Sequence, residues 1–180
     1  MAHKLFIFFG CLIPALACAV TDFRSRIIPN RITLPMLAAG FFYAVYAKNL
    51  PDGLLGFAFA GGVLLVCALM GGAGGGDLKL AAALGAWFGF RNALWILFIG
   101  SFIGVVWGSW NLARQGRLKA RMLLFFRGLF LETVYGMKGT AILPKLPEDP
   151  EAPVPPEAVP FGTCLAAAAW AVWGVRLLVG

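Results

Sequence analysis

Two of the eight acidic residues are set apart by their neighbours. Glu148, Asp149, Glu151 and Glu157 lie in a proline-rich stretch, Glu132 in a basic one, and Asp52 in the short Lys48–Gly53 turn. Asp22 and Asp77 instead each close a long apolar run. Carboxylates in such a setting are costly and usually face the interior of a helix bundle. Two of them sharing a site resist double ionisation and hold one proton between them. The ionised member can then activate a water while the protonated one donates to a carbonyl oxygen, which hydrolyses a peptide bond with neither a metal nor a nucleophilic side chain. The bland alternative is a pair of interfacial charges near arginines. Cys11, Cys18, Cys67 and Cys164 all sit inside apolar stretches and form no CxxC pair, so nothing supports a zinc or redox centre, and no cofactor is expected.

The elements that must position the aspartates are membrane helices. Of 180 residues, 61% are hydrophobic and 13% charged, with a mean hydropathy of +0.84, against roughly 45–50% and about 25% in an ordinary soluble domain. The pattern predicts an all-α polytopic bundle in one domain over residues 1–180, with six apolar segments at about 5–21, 32–47, 54–72, 78–90, 93–112 and 161–179. The fourth is short and is expected to begin inside the glycine run before it. Glycines at 56, 61, 62, 100, 104 and 108 suit close helix approach. With the N-terminus outside, eleven basic residues fall on the inner side and only Lys4, Lys48, Arg91 and Arg176 on the outer, as the positive-inside rule prefers. The net charge of +7 is thus a matter of topology, and a nucleic-acid partner is not expected. Spans one and three then run the same way, which brings Asp22 and Asp77 to the same inner membrane edge. A signal-peptide reading of Leu5–Ala19 competes, but Arg24, Arg26 and Arg31 just beyond it resist translocation.

Local chemistry fits this placement. Asp77 follows Gly71-Gly72-Ala73-Gly74-Gly75-Gly76, a poor helix interior that lets other backbone come close to the carboxylate. After Asp22, Pro29 breaks the helix and Asn30 can cap the next one. Residues 113–160 are expected on the cytoplasmic side: a basic stretch with helical amphipathic spacing that suits an anionic lipid surface, then a semi-rigid proline-rich linker.

Gly74-Gly75-Gly76-Asp77 matches the GxGD motif of intramembrane aspartyl proteases, continued as Leu78-Lys79-Leu80. Asp22 followed by Ile27-Ile28-Pro29-Asn30-Arg31-Ile32-Thr33 resembles the first-aspartate segment of type IV prepilin peptidases, and Pro160-Phe161-Gly162 resembles the tripeptide opening their last span. The resemblance implies a bacterial inner-membrane endopeptidase that cuts the basic leader of prepilins or pseudopilins after a glycine, at the cytoplasmic face. It makes Asp22 and Asp77 the catalytic pair, gives Gly74 and Gly76 a role in loop flexibility, and leaves Lys79 either tuning Asp77 or marking the inner face. Thr163 stands where proline is common, and the cytoplasmic insertion with paired CxxC motifs found in larger members is absent here. The chain therefore looks like the small peptidase-only form of Flp-type (tight adherence) systems, with N-methyltransferase activity left open. A proton- or ion-coupled transporter and a non-catalytic pilus-assembly scaffold are the competing readings.

Overall fold

A computed structural model describes residues 2–70, 72–116, 123 and 159–179. The basic and proline-rich region expected over 113–160 therefore lies almost wholly outside the described residues. Every regular element among the described residues is helical. The first, α1, runs as α-helix over Ala2–Ile7, as a π-helical turn over Phe8–Leu12 and as α-helix again over Ile13–Ser25. The π turn ends just before Pro14, whose missing N–H interrupts the ordinary hydrogen-bond ladder. Helix α2 spans Asn30–Tyr46, α3 Leu50–Leu69, α4 Gly75–Arg114 and α5 Phe161–Val179. Among the described residues four helical stretches are long and apolar enough to cross a membrane: His3–Ser25, Leu50–Leu69, Gly75–Arg114 and Phe161–Leu178.

Many large apolar side chains face outwards while small ones fill much of the interior, an arrangement that lipid rather than water rewards. Phe42, Leu69, Phe98 and Leu178 are exposed, whereas Ala81, Ala82, Ala83, Ala86, Ala93, Ala166, Ala168 and Ala169 are buried. The tightest approach joins α3 and α4, where a Cβ on Gly56 would collide with the Gly85 carbonyl and one on Gly85 with the Gly56 carbonyl. Trp87 keys α4 to the first two helices. Cβ atoms on Gly10 and Gly40 would stand 2.5 and 2.9 Å from its ring, its Nε1–H donates to the Met36 carbonyl at 2.8 Å, and it stacks on Tyr43 with centroids 5.0 Å apart.

Helix α4 is two arms joined at Gly89. There φ is +75°, a left-handed value that disfavours any side chain, and a Cβ would strike the Asp52 carboxylate. Asp52 Oδ1 instead accepts the Phe90 N–H at 3.0 Å, and so caps the second arm. That arm runs back to the level at which α4 began: a Cβ on Gly104 would meet the Phe161 ring at 3.5 Å, and one on Gly108 would meet Val159 at 3.1 Å.

Gly85→Ala should lower the unfolding temperature in detergent, at a cost of roughly 1–3 kcal/mol or more, because its obstacle is backbone that cannot turn aside. Gly62→Ala, with nothing within 4 Å of the added atom, should stay within about 0.5 kcal/mol of the parent. Equal effects in thermal melts of the two variants would contradict this packing.

Candidate active site

Three chain segments meet at one end of the bundle: the last turn of α1, the first turn of α4 and the first turn of α5. Asp22 occupies the last turn of α1 and is 5% exposed. The helix ends four residues later at Arg26, whose left-handed φ of +56° and N–H bond to the Asp22 carbonyl turn the chain away. Asp77 sits in the first turn of α4, so this helix starts inside the glycine run and takes the aspartate with it. The Gly74 N–H donates to Asp77 Oδ2 at 3.3 Å, a capping contact in which the carboxylate also meets the positive end of the helix dipole.

Gly162, in the first turn of α5, lies between the two acids. A Cβ built there would stand 3.1 Å from Asp22 Oδ2 and 3.2 Å from Asp77 Oδ1. The two oxygens are therefore no farther apart than those distances laid end to end. A single water bridges two such oxygens once they stand within roughly 5–6 Å, since each O–H···O contact spans roughly 2.5–3.0 Å. Asp77 Oδ1 is enclosed and faces the Gly162 amide without a well-formed hydrogen bond.

Asp22 is held differently. Its Oδ2 accepts the Thr163 N–H at 2.9 Å and lies 3.2 Å from Thr163 Oγ1, which also sits 3.1 Å from the Ala19 carbonyl. The amide is one of the N–H groups that the first turn of α5 leaves without an intrahelical partner. A hydroxyl has one hydrogen and two lone pairs. It can donate to an ionised Asp22, or donate to Ala19 and accept from a protonated one. Thr163 thus accommodates both charge states.

The remaining expected residues also have definite places. Lys79 Nζ donates to Asn30 Oδ1 at 2.8 Å, which ties the start of α2 to the helix that carries Asp77. Asn30 is itself the first helical residue rather than a cap; Pro29 precedes it with no side-chain cap bond. Gly74 supplies the amide to Asp77, and Gly76 leaves room for Ile28, whose Cβ would lie 2.9 Å from any Cβ added there. Sequence reasoning passed over Thr163 and Ile28 as site residues. The one signal for Thr163 was its departure from the usual proline, and Ile28 was visible only as part of a motif. Among the described residues no three His, Cys, Asp or Glu side chains gather as metal ligands.

Among the described residues the bundle is all-helical, and it brings one buried and one half-buried aspartate together at one end. The chain belongs to the type IV leader peptidase family, whose sequence profile matches residues 6–109 and so includes both aspartates. The prepilin leader peptidase/N-methyltransferase of Escherichia coli (strain K12) is 40% identical over 111 residues, which cover 56% of this chain and 48% of that protein. The enzyme of the same name from Xanthomonas campestris pv. campestris is 37% identical over 113 residues, 58% of this chain and 39% of the relative. That from Bacillus subtilis (strain 168) is 37% identical over 128 residues, 66% and 51%. The chain spans about half the length of these curated relatives, or less. No solved structure matches it. Helix α5, which brings Gly162 and Thr163 to the pair, lies beyond the residues matched to the family.

Thr163→Val keeps the shape of the side chain and removes its hydroxyl. A hydrogen bond to a charged group contributes about 1.5–3 kcal/mol, so peptide cleavage in membranes should slow by roughly ten- to a hundredfold. Thr163→Ser should stay within a few-fold of the parent. Similar rates for the Val and Ser variants would remove the hydroxyl from the site.

Proposed function

We propose that the chain is a prepilin leader peptidase, a membrane-embedded aspartyl endopeptidase that hydrolyses the bond after a glycine at the end of the leader of prepilins or pseudopilins. The observation that carries this reading is the convergence of Asp22 Oδ2 and Asp77 Oδ1 on one point beside Gly162. Like charges that close together in a largely enclosed site favour a pair holding a single proton. Asp22, which accepts bonds from Thr163, serves as the ionised member and takes a proton from the attacking water. Asp77, with its enclosed Oδ1, is the protonated member and donates to the scissile carbonyl oxygen. Water oxygen adds to the carbonyl carbon and gives a neutral gem-diol. Asp77 then removes a hydroxyl proton as the C–N bond breaks, Asp22 returns its proton to the departing amine, and the pair is left as it began.

The proposed topology is six crossings with the amino-terminal end outside, in the bacterial inner membrane. The Gly89 break within α4 supports counting its arms separately, and the second arm's return to the level of Phe161 supports opposite directions for the two. The excess of basic residues beside Asp22 and Asp77 supports placing the pair on the cytoplasmic side. Lipid contacts follow from the outward-facing aromatics.

Asp22→Asn and Asp77→Asn should each insert normally and slow leader release by at least about a thousandfold, read by gel shift of a prepilin in membranes. Processing close to the parental rate by either variant removes the mechanism. In a chain with its native cysteines replaced, Asn49→Cys should react with an impermeant maleimide from outside and Ser25→Cys only from inside; the reverse pattern overturns the orientation.

A further inference from the structure

Ile28 sits where all three segments of the site meet. The point that a Gly162 Cβ would occupy lies 2.5 Å from Ile28 Cδ1, as well as 3.1 and 3.2 Å from the facing oxygens of Asp22 and Asp77. On its other flank, a Cβ on Gly76 would lie 2.9 Å from Ile28 Cβ and 3.4 Å from its Cγ1. One buried isoleucine therefore fills the room that two glycines leave on either side of the acids. Gly162 and Gly76 present only backbone, so Ile28 is the bulky side chain that bounds the space at the pair among these contacts.

That wall is stiff for reasons written in the sequence. Branching at Cβ restricts χ1 of Ile28. Pro29 follows it and holds its backbone in the extended region.

We propose that Ile28 is a specificity-determining residue of the cleft, the wall that limits the substrate position just before the scissile bond to a residue without a side chain. Resting on the peptidase reading above, the inference assigns its selectivity to one residue of this chain. Shortening the wall opens space beside the acids without touching either of them.

The test uses the full-length protein in membranes and a prepilin carrying Gly, Ala or Val as the last residue of its leader. Ile28→Ala should raise cleavage of the Ala substrate relative to the Gly substrate at least tenfold in kcat/KM, the ratio being the readout whatever the absolute rate on the Gly substrate. Ile28→Val removes a single methyl and should shift the same ratio in the same direction, by less. An unchanged ratio in both variants, with the Gly substrate still cut, overturns the assignment alone. Loss of all cleavage by an inserted Ile28→Val protein also overturns it, because a wall can be lowered by one methyl without disabling the acids. A wild-type chain that leaves the Gly substrate uncut overturns the peptidase reading and the Ile28 assignment with it.

Discussion

One buried and one half-buried carboxylate at the end of an apolar bundle are expensive to keep, and the rest of this structure is arranged around meeting that cost. Each acid is given a backbone dipole. Asp77 takes the Gly74 amide at the start of its own helix, while Asp22 takes an amide from the first turn of α5, 141 residues on in sequence. Because both partners are helix starts, the direction of the helices and the position of the acids are one constraint. Glycine at 162 then lets the α5 backbone come between the carboxylates without pushing them apart.

The far end of the bundle serves the same arrangement. Asp52 caps the second arm of α4 at Gly89 and fixes where that arm turns back, so that Gly104 and Gly108 return against the residues leading into α5. Trp87, wedged against Gly10 and Gly40, locks the first arm to α1 and α2. Displacing any of these contacts changes the depth at which Asp22, Asp77 and Gly162 meet. The packing at this far end is thus linked to the geometry at the acids through the helices that join them.

Much of this was legible in the sequence because lipid imposes coarse, additive rules. Runs of apolar residues gave the helices, and their parity with the arginines gave a shared depth for Asp22 and Asp77. Which residue leans on which acid was another matter. Thr163 acts through a contact formed only when α5 folds back, and Ile28 acts through a fit to glycines 48 and 134 positions away; neither leaves a periodic trace. The glycines chosen for close approach were partly right. Gly56 and Gly61 do face α4, but Gly62 meets open space, and Gly10, Gly40 and Gly85 went unremarked because nothing in their local sequence tells a packing glycine from a filler. Asp52 read as a turn residue because its partner, the Phe90 amide, lies across the Gly89 break.

The central claim is that residues 22 and 77 face each other across a gap one water can fill. It is tested most directly by cross-linking in native membranes, with Cys11, Cys18, Cys67 and Cys164 replaced and cysteines introduced as Asp22→Cys and Asp77→Cys. A short bifunctional maleimide should join the two positions within each chain rapidly and in high yield, and should fail to join 22 to a cysteine placed at Asp52. No cross-link between 22 and 77, in a protein whose two thiols are both shown to react singly, would contradict the account.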